Sequence, residues 1–156
     1  MSERGKDDLG EWLERIVEDL ASRAGLTPPK LTVAPTKYFP AFVAWESDGP
    51  RVVIDSRITE VVGIRPDELR EHAEVLLAHE LGEIALGHGA PPDSDDEARE
   101  REFACDAFAA RLLSCERVIQ TLSITRLVGR STGRGGHPTN EERIEQLAEL
   151  WKGPRK

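Results

Sequence analysis

The chain has 156 residues and a net charge of −8, with 29 acidic side chains against 21 basic ones. That length fits one domain large enough to bury a core, and an acidic excess spread along the chain argues against a nucleic-acid partner. No stretch approaches the roughly 18 apolar residues of a membrane span, and the opening residues Met1–Asp8 do not read as a signal peptide.

In chain order, Leu9, Trp12, Leu13, Ile16, Val17 and Leu20 recur at helical spacing, so 7–24 is expected to be an amphipathic helix with its stripe on the core, stopped by Gly25. Thr27-Pro28-Pro29 breaks the chain, and 31–34 is a short strand ended by Pro35. Residues 38–45 are rich in aromatic and β-branched types but carry Pro40, which suits an edge strand followed by a turn over 46–50. Residues 51–55 (Arg-Val-Val-Ile-Asp) are the clearest strand, and 58–62 reads as a turn or two of helix. Pro66 at a first helical position, with Asp67 and Glu68 behind it, opens a helix running to Gly87.

After a loop over 89–94, the capping box Ser94-Asp-Asp-Glu97 opens a third helix, and 116–128 is helical again. A glycine-rich loop over 131–136 leads to a second capping box, Thr139-Asn-Glu-Glu142, and a last helix to about Trp151. Cys105 and Cys115 stand ten residues apart in what reads as one helix. At about 1.5 Å rise per residue their α-carbons lie roughly 15 Å apart, too far for a disulfide. Both are read as buried small residues, and reduced thiols without an export signal point to the cytoplasm. Strands before residue 56 and only helices after it make a single α+β domain over 1–156, a small N-terminal sheet packed on the 66–87 helix and a helical C-terminal half.

The chemistry concentrates in 75–88, Val-Leu-Leu-Ala-His79-Glu80-Leu-Gly-Glu83-Ile-Ala-Leu-Gly-His88. This differs by one letter from H-E-x-x-H, in which two imidazoles a helical turn apart hold zinc and the intervening Glu is general base on the metal-bound water. Glu83 occupies the second imidazole's place. Glu102 and Asp106 lie four apart on the third helix and share a face, and His137-Pro-Thr-Asn-Glu-Glu-Arg143-Ile leads into the last helix. Taken singly, each has a bland reading: a surface His-Glu pair, a solvated acidic face, ordinary loop chemistry.

Their joint order resembles the HtpX-like and CAAX-prenyl-type zinc metallopeptidases, in particular the small soluble minigluzincins, over roughly residues 28–150. The resemblance also rests on the Ala41-Phe42 step, the Val-Val-Ile strand and Asp67-Glu68-Leu69. It implies a zincin-like fold and hydrolysis of a peptide or protein substrate, with zinc as cofactor. It further implies His79, Glu83 and Glu102 as metal ligands, Glu80 as general base and Asp106 supporting the site from behind the ligands. His137 and Arg143 are then candidates for substrate or oxyanion contacts. The chain departs from the family pattern at Glu83, and at Pro40, where an Asn often precedes the Ala-Phe step.

A His79/Glu83/Glu102 set carries two negative charges. It offsets a divalent ion's pull on water and, being oxygen-rich, weakens the preference for zinc over manganese or iron. Three readings stay open at the level of sequence. One is a working peptidase with an altered ligand set. Another is a peptidase-fold protein with a weakened or lost metal site that serves as a binding or regulatory module. The third is an otherwise ordinary zinc peptidase in which Glu83 is an engineered or accidental change.

Overall fold

Val52 and Ile54, both fully buried, sit at the centre of a small sheet, and the polypeptide is layered around them. The computed structural model describes residues 3–37, 40–60, 66–128 and 138–152. Helix α1 (Glu3–Ala24) leads into β1 (Lys30–Ala34), β2 (Ala41–Glu46) and β3 (Gly49–Asp55), followed by a 3-10 turn over Ser56–Glu60. Helices α2 (Pro66–Ala85), α3 (Asp95–Leu112), α4 (Cys115–Val128) and α5 (Asn140–Lys152) complete the described chain. Among the described residues the strands all lie before residue 56, and the architecture is α+β.

The sheet order is β1-β3-β2. β3 takes the middle because it alone carries an unbroken Val-Val-Ile run suited to burial on a pleated surface. It pairs in parallel with β1, Leu31 facing Val52, and antiparallel with β2, Val43 facing Val52. The two-residue turn Ser47-Asp48 closes the β2–β3 hairpin, and Gly49 takes the positive φ of 126° that follows it. β2 is therefore an edge strand that begins just after Pro40, as a proline without an N–H requires. Tyr38, Phe39 and 61–65 lie outside the described residues.

Leu13, Val17, Leu20 and Ala21 of α1 are buried, as are Ala73, Leu77, Ala78 and Leu81 of α2. α2 packs on α1, α3, α4 and the sheet, which makes it the central rod of the fold. Glu74 of α2 receives hydrogen bonds from Arg70 at 2.9 Å and Arg117 of α4 at 2.5 Å, tying those helices together. The chain breaks at Leu113-Ser114, where the Ser114 hydroxyl accepts from the Arg117 N–H at 3.1 Å and starts α4. Cys105 and Cys115 thus stand on different helices, not on one. Both are free thiols.

His72 on α2 is 3% exposed, and its Nδ1 has no hydrogen-bond partner among the described residues. Burial lowers its pKa from 6.5 to about 4. A depressed folded-state pKa means the unfolded chain binds the proton more tightly, so stability falls as pH drops from about 6.5 to about 4. At about 1.4 kcal/mol per unit the full penalty is on the order of 3 kcal/mol. Urea unfolding of wild type and His72→Leu at pH 7 and pH 4.5 isolates this contribution from other buried groups that titrate across the same range. Wild type is expected to lose more stability on acidification than the variant, and equal losses would contradict the assignment.

Candidate metal centre

His79 and Glu83 share one face of α2, a helical turn apart. Between them lies Gly82, and its lack of a side chain lets α3 approach. A Cβ there would meet the Cys105 Cα at 3.2 Å and the Phe108 Cβ at 3.3 Å. This close crossing brings the Glu102, Cys105 and Asp106 face of α3 against the His79 face of α2.

A chain of contacts fixes His79. Its Nδ1 lies 2.9 Å from Asp106 Oδ1 and its Nε2 lies 3.5 Å from Glu102 Oε2. Asp106 is 1% exposed and is gripped from behind by Arg143, whose Nε donates to Oδ2 at 2.8 Å and whose Nη2 donates to Oδ1 at 2.7 Å. Arg143 reaches it from the first turn of α5, which a reciprocal capping box positions. Thr139 Oγ1 accepts from the Glu142 N–H at 3.2 Å, and Glu142 Oε1 accepts from the Thr139 N–H at 3.3 Å. An Arg99–Glu142 ion pair joins the same turn to α3.

The electrostatics follow from this order. Burial opposes charge on Asp106, yet the hydrogen bonds from Arg143 and His79 outweigh it and hold the carboxyl at about 2. Burial likewise opposes charge on His79, but Glu102 and Asp106 outweigh it and lift the imidazole's pKa well above 6.5. A cation arriving at Nε2 competes with that proton. With Asp106 accepting at Nδ1, the proton of the neutral imidazole is fixed on Nδ1 and Nε2 is left as the donor atom.

Glu83 stands in a second network. Its Oε1 accepts from the Cys105 thiol at 3.2 Å, and its Oε2 lies 3.2 Å from His88 Nδ1. His88 gets there through the end of α2. Gly87 takes φ 69°, its N–H donates to the Ile84 carbonyl at 3.1 Å, and the His88 N–H donates to the Glu83 carbonyl at 3.0 Å. That double closure is a Schellman motif, and it folds His88 back over the residue five positions earlier. It also ends α2 at Ala85, two residues before the expected Gly87. Burial and the Glu83 carboxylate push the Cys105 thiol far up, so the free side chain is neutral.

Glu80 is 9% exposed, and its carboxyl is raised from 4.5 to about 7, chiefly by burial. It borders an open cleft of about 920 Å³ that runs from His79 past the edge strand at Phe42 and Trp45 to Gly89. Trp45 covers the rim over Gly89, where a Cβ would meet its ring at 3.2 Å.

Of the residues singled out in the sequence, His79, Glu80, Glu83, Glu102, Asp106 and Arg143 all line this cleft. His137 lies outside the described residues. Arg143 directs two nitrogens at Asp106. Cys105, read from the sequence as packing, has its sulphur in the site: donor atoms of His79, Glu83 and Cys105 all lie within 4.8 Å of one another. The signal was its position three residues after Glu102, on the same helix face. Donors sharing a tetrahedral ion through bonds of about 2.0–2.3 Å stand about 3.3–3.8 Å apart. The set therefore closes on an ion by side-chain shifts of about an ångström, and its imidazole, carboxylate and thiol are all zinc-ligand types. The residues fit a metal ion.

The chain is 39% identical over 74 residues to a protease HtpX homolog of Sulfurihydrogenibium sp., covering 47% of this chain and 23% of that protein. It is 34% identical over 83 residues to protease HtpX of Acinetobacter baumannii, covering 53% and 26%. With protease HtpX of Ectopseudomonas mendocina the identity is 32% over 78 residues, 49% and 25% of the two chains. The relatives are HtpX proteases. The chain spans about a quarter of their length, so the likeness to HtpX is distant and partial and supports peptidase chemistry in the coarse sense. No protein-family model matches the chain, and no solved structure does. Among the described residues no helix is long and apolar enough to cross a membrane.

Proposed function

We propose that the protein is a metal-dependent peptidase of zincin-like fold, acting on an extended peptide or protein segment. The observation that carries the reading is His79, held at Nδ1 by Asp106 while Nε2 faces Glu102. A general-purpose surface histidine needs no such backing, whereas a metal ligand does.

In this reading His79, Glu83 and Glu102 hold the ion, and Asp106 with Arg143 orients His79. A divalent cation bound there supplies Lewis-acid activation of water and of the substrate carbonyl. Glu80 takes a proton from the attacking water at its carboxylate and passes it to the departing amine nitrogen. Its burial beside the cleft raises its pKa from 4.5 to about 7 before an ion binds, toward the range in which such a group both accepts and returns a proton. The outer edge of β2 has no strand beside it among the described residues and faces the cleft through Ala41, Phe42 and Val43. A peptide adds there as a further strand, its backbone N–H and C=O groups pairing with those of β2. The cytoplasmic setting expected from the sequence belongs to the same proposal and rests on the two free thiols.

The test joins metal content to cleavage. Purified wild-type protein is expected to carry about one equivalent of metal by elemental analysis and to cleave casein in a chelator-sensitive way. Glu83→His, which completes H-E-x-x-H, is expected to bind zinc more tightly and cleave faster, while Glu83→Ala loses both metal and activity. Absence of cleavage by wild type and Glu83→His alike, with metal bound, would reject the peptidase reading in favour of a binding module.

A further inference from the structure

We propose that Cys105 is itself a metal ligand, its sulphur joining His79 and Glu83 to make up for the second imidazole that Glu83 displaces. The inference deepens the peptidase reading, since it concerns the same ion, and it assigns a role to a residue outside the motif.

The Cys105 sulphur lies 3.2 Å from Glu83 Oε1 and 3.6 Å from His88 Nδ1, and it falls within 4.8 Å of a ring nitrogen of His79. A cysteine serving only to fill space turns its sulphur toward apolar neighbours. Here it is buried yet directed at a carboxylate and an imidazole. Gly82 is what allows this, because its bare Cα lets the backbone of Cys105 come close enough for a short side chain to reach the α2 face.

The chemistry of the donor set is consistent. As sulphur binds the ion, the S–H bond breaks and its proton leaves to solvent past His88, which lines the cleft. In this set Cys105 takes the place given above to Glu102, so a neutral imidazole with one carboxylate and one thiolate balances the two positive charges of a divalent ion and leaves a fourth position for water. The thiolate also reverses the metal preference of an all-oxygen partner set, favouring zinc over manganese. His88, beside Cys105, holds the Glu83 carboxylate in the orientation the set requires.

X-ray absorption at the zinc edge of the full-length, zinc-loaded wild-type protein reads the ligands directly. One sulphur at about 2.3 Å is expected beside nitrogen and oxygen atoms at about 2.0–2.2 Å. Cys105→Ser should lose the sulphur shell and weaken zinc binding more than the roughly 10–100-fold brought by removing a group behind a ligand. Cys115→Ser should keep the shell. Stoichiometric zinc with only nitrogen and oxygen neighbours would overturn the inference and leave the peptidase reading standing. A sulphur shell that survives Cys105→Ser would overturn it too. A wild-type sulphur shell without casein cleavage would remove the peptidase reading alone, and failure to take up zinc would remove both. The wild-type spectrum decides the ligand question even where a variant fails to fold.

Discussion

Glu80→Gln is expected to lower casein turnover by about 10²–10⁴-fold while leaving metal content unchanged. The amide keeps the volume of the buried side chain but cannot accept a proton from water. The substitution should not destabilise the fold, because Glu80 is a desolvated carboxylate in a ring of negative charge. Burial raises its pKa first of all, and Glu102 and Glu83 raise it further against the opposing effect of His79. Replacing a strained acid by a neutral group relieves that repulsion. The wild-type profile of kcat/KM against pH should rise with pH as Glu80 loses its proton, with the limb at or below about 7, since a cation at His79 lowers the value from there. A variant that keeps its metal and more than a tenth of wild-type turnover would show that another group takes the proton.

The sequence carried this much because helical spacing is a strong geometric statement. His79 and Glu83 had to share a face, as did Glu102 and Asp106, and the strand signals of 31–34 and 51–55 stood apart from the helices that follow. What spacing could not show was contact between elements. Cys105 reads as packing until the Gly82 crossing sets its sulphur against Glu83, and no one-helix pattern contains that crossing. His88 looked like a residue beyond the end of a helix. Only the positive φ of Gly87 turns it back over Glu83, although the glycine itself was in view. Helix resuming over 116–128 implied a break before it, but at Leu113-Ser114 that break contains neither Gly nor Pro, and its signal is one serine capping the next helix, so Cys105 and Cys115 still read as sharing one helix. The role of Arg143 was likewise underdetermined. Its capping box was plain, but that its guanidinium forks onto Asp106 depends on the packing of α5 against α3, which spacing does not contain.

That fork is where the largest loss of stability is expected. Arg143→Leu leaves Asp106 buried and ionised with its main counter-charge gone, and breaking a buried pair by removing one partner costs about 3–5 kcal/mol. Asp106 cannot escape cheaply by taking a proton, because the hydrogen bond it accepts from His79 Nδ1–H depends on its charge. In the intact protein its carboxyl is depressed from 3.8 to about 2, so the stability it contributes is present above about 3.8 and is lost as pH falls toward 2. Arg143→Leu should shrink this acid dependence as well as the stability at neutral pH. Arg143→Lys keeps the charge but not the two-pronged geometry, and it should recover only part of the loss. Zinc affinity, measured by chelator competition without substrate, should fall about 10–100-fold in Arg143→Leu as His79 loses its anchor. That last measurement separates two roles. A residue that only touches the substrate or its oxyanion would change turnover and leave the ion's affinity and urea stability where they are, whereas a residue that works through Asp106 and His79 must change both before any peptide is added.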